Sequence, residues 1–244
     1  MFRFFKKDRP PAAIETQLSL TTDMHSHVLP GIDDGARDMA SSLELLNGMY
    51  DLGIRKVVAT PHIIADLYHN DADTINTALA KVKEAVATAG LEMEIWAAAE
   101  YMLDDYFVGL LRSGAPLLKL HDNLLLTEQS YAFPNDNLQE TAFEIITGGY
   151  QPIMAHPERY FYYHSNYDAY NRLKELGFLL QVNLLSLTGY YGKPVAKAAK
   201  FLFEEGMVDF VGTDMHHTKH LSILKGNVAL INRYIGGHSF NAFK

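Results

Sequence analysis

The sequence predicts a parallel α/β protein, a closed or nearly closed barrel of about seven strands. Three observations lead there. Seven apolar, β-branched-rich runs recur along the chain, most are separated by segments of helical periodicity, and six of the seven end in His, Asp or Glu. The runs lie at 20–25, 54–60, 93–99, 123–127, 151–155, 178–182 and 208–212. Helices are expected over 39–52, 74–89, 168–176 and 193–205. Asp38 is placed to cap the first, and Gly53 stops it. The second carries Ile75, Leu79, Val82 and Val86 at three- and four-residue spacing and ends at Gly90. Gly177 and Gly206 end the other two. Parallel neighbours need a crossover, and a helix between runs supplies it. An open doubly wound sheet is the competing arrangement. No Gly-x-Gly-x-x-Gly follows the first run, which weakens a dinucleotide-binding reading.

At 244 residues the chain fits one barrel domain, assigned to 20–244. Residues 1–19 are assigned to a basic, aromatic arm, in which Pro10-Pro11 stops any helix. A mobile tail is the plainer expectation for this arm; a weak contact with anionic lipid or a partner at a membrane surface is the sharper one. No apolar run approaches the roughly 20 residues that span a bilayer, and no signal-peptide core is present, so a cytoplasmic protein is expected. The chain has no cysteine, which excludes a thiolate nucleophile, a Cys-held zinc and a disulfide. A formal charge of -8 argues against non-specific nucleic-acid binding, which needs cationic surface.

The polar residues fall at the ends of the runs. The first leads into His25 and His27, with Asp34 beyond a Pro30-Gly31 turn; the second into His62; the third and fourth into Glu100 and Glu128; the fifth into His156; the seventh into Asp214 and His216. In a parallel barrel all these ends share one face, so residues distant in sequence converge. His25-x-His27 alone is more often a polar strand end than a ligand pair, and a lone Glu100 reads as a solvated carboxylate. Their coincidence points to a metal site, because several carboxylates buried together need cations.

The order Asp-x-His-x-His, Asp-Asp-Gly, Thr-Pro-His, Glu, Glu, Ala-His-Pro-Glu-Arg-Tyr, Asp-Met-His resembles the PHP (polymerase and histidinol phosphatase) superfamily. Within it, 22–62 is most similar to the bacterial capsule-associated protein-tyrosine phosphatases typified by CpsB and YwqE, and the likeness runs from about residue 20 to 217. The resemblance implies a distorted seven-stranded β/α barrel with three divalent metals. The first would take His25, His27 and Asp214, with Glu100 bridging to the second. Glu100, Glu128 and His156 would hold the second, and Asp34, His62 and His216 the third. Asp33 is the rival to Asp34, and spacing does not separate them.

Four carboxylates and five imidazoles without sulfur suit Mn²⁺ first, with Fe²⁺ or Zn²⁺ as alternatives, over Ca²⁺ or Mg²⁺. Six metal charges against four carboxylates leave the site about +2, matched to a phosphate dianion. The expected chemistry is phosphoester hydrolysis by metal-activated water, with Glu100 and Asp214 in the reacting centre and Arg159 as phosphate clamp. The alternative for Arg159 is a structural ion pair. No Arg follows the Asp-x-His motif until Arg233, so a second clamp would have to be Lys219 or His220. Tyr160, Tyr162, Tyr163, Tyr167 and Tyr170 form either an aromatic rim or a cover for the outer loops. The expected substrate is phosphotyrosine on a protein, the tail of a capsule-regulating bacterial tyrosine kinase. A small-molecule phosphatase of the histidinol-phosphate kind, a nuclease, and a catalytically silent metal-stabilised binding module are the competing readings.

Overall fold

The computed structural model describes residues 15–243. Its strands are β1 (Thr22–Ser26), β2 (Lys56–Ala59), β3 (His62–Ile63), β4 (Glu94–Ala97), β5 (Glu100–Met102), β6 (Leu124–Glu128), β7 (Gln151–Ala155), β8 (Leu179–Asn183) and β9 (Phe210–Gly212). Helices α1 (Met39–Asp51), α2 (Ala72–Thr88), α3 (Asp105–Ser113), α4 (Leu138–Thr147), α5 (Asp168–Glu175) and α6 (Lys193–Glu204) fall between them. α7 (Thr218–Gly226) and α8 (Val228–Ile235) follow the last strand. Every run expected to be a strand contains one. All pairings between these strands are parallel, in the orders β1-β2-β4 and β3-β5-β6-β7-β8-β9.

The second and third runs each cross from one sheet to the other. Pro61 has no N–H to give the ladder, so β2 stops at Ala59 and β3 resumes at His62. The break is bridged by Ala98 N–H donating to Ala59 O at 2.9 Å and Glu100 N–H to Pro61 O at 3.1 Å. At the opposite sheet edges, Asp214 N–H donates to His25 O and His27 N–H to Met215 O, both at 2.9 Å. Asn241 ties the lower part of the same seam, donating to Thr22 O at 2.8 Å and Val211 O at 2.7 Å.

Helix starts follow the sequence cues. The Asp38 side chain accepts from Ser41 N–H at 2.8 Å, as its N-cap position predicts. α2 begins two residues before the expected Thr74, because Asp71 is its cap and Thr74 closes the capping box. α3, α4, α7 and α8 were not among the four expected helices; α3 is short and carries Gly109 at its centre, and α4 and α8 have no side-chain cap.

Residues 15–19, assigned from sequence to the arm, lie against the body of the protein. Leu18 is buried and its N–H donates to Leu52 O at 2.8 Å, while Asn232 of α8 holds Ser19 N–H and the Gln17 carbonyl. The rest of the expected arm, 1–14, lies outside the described residues. No helix among the described residues is long and apolar enough to cross a membrane.

A main core between strands and helices includes Leu45, Met49, Val57, Val82, Leu125, Met154, Leu180 and Leu202. A second cluster, Met24, Val58, Ala98, Leu120, Leu126, Ile153 and Ala155, forms an apolar floor. Two residues further along β6 the same strand face carries Glu128, and His156 directly follows Ala155. The polar site therefore sits on the floor cluster, at the strands' C-terminal ends.

Candidate metal centre

The β1–β2 register slips between Asp23 and Ser26, where three residue steps oppose two from Val57 to Ala59. This bulge lets Met24 join the floor while His25 and His27 both reach the site. Close approach also needs missing side chains. A Cβ on Gly212 would fall 2.7 Å from His25 Cβ, and one on Gly35 would fall 2.1 Å from the His27 carbonyl oxygen.

The cluster converges on Glu100, which is fully buried. Its Oε2 stands 3.1 Å from His25 Nε2, 3.4 Å from His27 Nε2 and 3.2 Å from His62 Nδ1; its Oε1 stands 3.0 Å from His156 Nε2. Asp214 Oδ1 lies 3.5 Å from His25 Nε2 and 3.4 Å from His27 Nε2, and those two nitrogens are 3.2 Å apart. Donors about 2.0–2.2 Å from one cation at tetrahedral angles stand about 3.3–3.6 Å from each other. The four side chains His25, His27, Glu100 and Asp214 have nearly that spacing, so the set implied for the first metal fits a cation.

The other two sets are less cleanly divided. Glu128 Oε1 lies 2.8 Å from His62 Nδ1, which also stands 3.2 Å from Glu100 Oε2; both atoms are buried and neither has a partner in hydrogen-bond geometry. Such orphans are costly unless a cation serves them. His62 therefore stands closer to Glu128 than the implied second set of Glu100, Glu128 and His156 suggests. Its other nitrogen, Nε2, faces Asp34 Oδ1 at 3.5 Å, and His216 Nε2 faces the same oxygen at 3.5 Å. His27, Asp34, His62 and His216 each bring a donor atom to one place.

Asp33 has a different job. It accepts from the buried His27 Nδ1 at 2.7 Å and from Gly35 N–H at 3.0 Å. The proton then sits on Nδ1, and Nε2 presents its lone pair to the cluster. His25 is oriented the same way by Gln181 Oε1, 2.8 Å from its Nδ1. Gln181 Nε2 donates to Asn183 Oδ1 at 2.9 Å, and Asn183 Nδ2 to Asp214 Oδ2 at 2.7 Å, which links two members of the first set through β8. Sequence reasoning missed Gln181 and Asn183, since it sought His, Asp and Glu. The available signal was two polar residues at strand period in an otherwise apolar run.

The charges are mutually dependent. Burial would push Glu100 up, yet His25 and His62 hold it well below the usual carboxylate range. Asp214 is also held well below it, by His216 and His25 against its own burial. Burial would lower His62, but Glu128 and Glu100 carry it up to about 9. His156 is lowered by burial. Cations held among these groups would take over the compensation and displace protons from the imidazoles. Two cluster residues, His156 (φ 34°) and Asp214 (φ 51°), also have left-handed backbone, a strain typical of functional sites.

Arg159 faces this cluster. Its Nη1 donates to Asp214 Oδ2 at 2.7 Å, and its guanidinium carbon lies 4.8 Å from the Tyr131 ring centre and 4.3 Å from that of Tyr191. A cavity of about 470 Å³ opens here, lined by Arg159 and Lys219 together with Asp34, Asp214, His216 and Tyr191. Lys219 is exposed, with Nζ 5.4 Å from the Tyr190 ring. His220 is buried and accepts from His216 N–H at 3.3 Å; burial and His217 push it down to about 3. Of the five tyrosines after His156, Tyr160, Tyr163 and Tyr170 are buried and pack among themselves. Tyr131 touches the cluster, its hydroxyl 3.4 Å from His156 Nε2, and the Tyr68 ring stacks on His62 with 5.6 Å between centres.

The chain matches the family described as capsular polysaccharide synthesis, CpsB/CapC, over residues 21–241. It is 31% identical over 211 residues to tyrosine-protein phosphatase YwqE of Bacillus subtilis strain 168, covering 81% of this chain and 78% of that protein. A solved structure from work on YwqE of Bacillus subtilis and CpsB of Streptococcus pneumoniae, described as unique metal-dependent tyrosine phosphatases, superposes with a TM-score of 0.81. It is 26% identical and covers 89% of this chain and 88% of its own. Histidinol phosphate phosphatase from Lactococcus lactis, at TM-score 0.52 and 13% identity over 92% of this chain and 95% of its own, shares the fold alone. From residue 21 to residue 241, the chain belongs to the CpsB/CapC family of capsular polysaccharide synthesis.

Proposed function

We propose that this chain is a metal-dependent protein-tyrosine phosphatase, hydrolysing phosphotyrosine on a protein substrate. The observation that carries the reading is the buried Glu100 with four imidazoles within 3.4 Å of its carboxylate, beside an Arg that lines an open cavity. The tyrosine specificity rests on the relatives.

The nine side chains would hold three divalent ions: His25, His27, Glu100 and Asp214 the first; Glu100, Glu128 and His156 the second, with His62 alongside; Asp34, His62 and His216 the third. A ligand set of oxygen and imidazole nitrogen favours Mn²⁺, with Fe²⁺ or Zn²⁺ as alternatives. Ions there would supply positive charge to the phosphoryl oxygens and acidify the attacking water. Arg159 orients the phosphoryl group with the N–H groups that Asp214 does not use. Asp33, Gln181 and Asn183 hold the imidazoles and Asp214 in place. A phenolate leaving group, with pKa near 10, departs with little protonation, so the site needs only weak acid assistance.

The fold that presents these groups is a distorted seven-stranded barrel, with β2 plus β3 and β4 plus β5 each counting as one stave. The bonds between β1 and residues 214–215 support its closure. The proposed substrate is the phosphorylated tail of a capsule-regulating tyrosine kinase, and the proposed compartment is the cytoplasm. A substrate panel at matched metal loading tests the reading. Phosphotyrosine peptide should be hydrolysed with metal, not after chelation, and not by His27→Ala or Asp214→Ala. Full activity in either metal-loaded variant, or higher efficiency on histidinol phosphate, refutes it.

A further inference from the structure

Glu158 precedes Arg159 in the chain, and its side chain is wholly buried. Its carboxylate is directed at the end of β8. Oε1 accepts from Asn183 N–H at 3.0 Å and from the Ser186 hydroxyl at 2.6 Å, while Oε2 has no hydrogen-bond partner. Asn183 and Ser186 are buried as well. The carboxylate therefore docks the 3₁₀ turn Pro157–Arg159 onto the junction of β8 with the 3₁₀ turn Leu184–Thr188.

These contacts close a ring. Arg159 Nη1 and Asn183 Nδ2 both donate to Asp214 Oδ2, each at 2.7 Å. From Asn183 the path returns through its backbone N–H to Glu158 Oε1, and from Glu158 along one peptide bond to Arg159. Asp214 Oδ1 is left to face His25 and His27. An Arg side chain gives up much rotamer freedom when it is held in one place. Here both of its anchors, the backbone at 159 and Asp214 Oδ2, are fixed relative to Asn183.

We propose that Glu158 is a positioning residue for phosphate binding: it holds the turn that carries Arg159 where the guanidinium can pair with Asp214 and still present its remaining N–H groups to a phosphoryl group. This rests on the phosphoesterase reading and adds to it a residue that touches neither substrate nor metal. The role needs an acceptor oxygen and not a charge. Both donors meet Oε1, so an amide oxygen with two lone pairs can replace it, and the amide nitrogen would stand where Oε2 now serves no donor. An apolar side chain of similar length would leave two buried donors unpaired and the turn free to shift.

The test uses the full-length chain at saturating metal, with inorganic phosphate as probe. It is read by calorimetry, by steady-state hydrolysis of a phosphotyrosine peptide and by elemental analysis. Glu158→Gln keeps the acceptor, Glu158→Met removes it at similar volume, and Glu158→Asp draws it back by one methylene. Phosphate should bind Glu158→Met about 10-fold more weakly, the scale of one hydrogen bond to a charged group, with metal content unchanged. KM for the peptide should rise more than kcat falls, and Glu158→Gln should restore wild-type phosphate affinity. Partial unfolding would lower the binding stoichiometry and leave the affinity of the folded molecules unchanged. If Glu158→Met does not fold, Glu158→Asp decides, with weakening expected in the same direction. In an Arg159→Ala background the substitution should cause no further loss, because its effect passes through the guanidinium. Wild-type phosphate affinity in the deciding variant, an equal loss in Glu158→Gln, or an undiminished loss in the Arg159→Ala background overturns the role of Glu158. A wild-type holoprotein that binds no phosphate refutes the phosphoesterase reading itself, a result distinct from the other three.

Discussion

Asp33→Asn keeps the volume of a buried side chain and removes its charge. In the native protein Oδ2 lies 2.7 Å from His27 Nδ1 and 3.3 Å from the His62 amide nitrogen, and Oδ1 accepts from Gly35 N–H at 3.0 Å. All three neighbours donate to the carboxylate, and an asparagine must turn its NH₂ group towards one side. Turned towards His27, the NH₂ meets the His62 N–H and drives the imidazole proton onto Nε2, inside the cluster. Turned the other way, it opposes the Gly35 N–H. A hydrogen bond to a charged group is worth about 1.5–3 kcal/mol, or about 10- to 100-fold in metal affinity. That is the range expected for a group that orients a metal-binding imidazole. The assay is titration of metal-depleted protein with Mn²⁺ or Zn²⁺ against a chelating dye, alongside thermal melting without metal. Metal binding should weaken by that factor while the metal-free melting temperature moves only a few degrees. Wild-type metal affinity in this variant would refute the argument that Asp33 sets the His27 tautomer.

Other perturbations follow from the same geometry. Arg159→Lys should raise KM for a phosphotyrosine peptide about 10-fold or more without changing metal content, because an ammonium cannot pair with Asp214 and present a planar fork together; steady-state kinetics with elemental analysis checks this. Gly212→Ala puts a Cβ 2.7 Å from His25 Cβ and 2.9 Å from Gln181 Nε2, so it should cost about 1–3 kcal/mol in urea melts and weaken metal binding. Asn241→Ala removes side-chain bonds to Thr22 O and Val211 O and should destabilise the fold by about 2–3 kcal/mol, leaving the metal affinity of the folded protein unchanged. Chelation of metal-loaded protein should lower its melting temperature; ligand at 100 times its Kd adds about 2.7 kcal/mol.

The legible part of this protein was the part governed by local repetition. Strand period two places His25 with His27, and Leu126 with Glu128, on shared faces, and all the expected strands were found where apolar runs stood. Caps such as Asp38 are equally local, since one side chain closes on an amide three residues away. α3 was missed because its helical pattern is short and carries Gly109, so its propensity is weak without the contacts that stabilise it. The β1 bulge leaves no mark in the sequence, because it arises from pairing against β2.

Asp33 and Asp34 show why the rest of the site was closed to sequence reasoning. Adjacent residues with one chemistry point in different directions, one to His27 Nδ1 and the other towards His62 and His216, and only the turn that holds Gly35 against the His27 carbonyl decides which. That turn depends on the His27 position, which depends in turn on Met215 across the seam. The same holds for Arg159, whose neighbours Tyr131 and Tyr191 come from loops after β6 and β8. Metal-binding side chains must sit at strand ends to converge, so their spacing advertises them. The groups that orient them, or grip the phosphate, need only be nearby in space. Gln181, Asn183 and Arg159 are therefore the residues at which mutation should separate metal binding, ligand orientation and phosphate binding from one another.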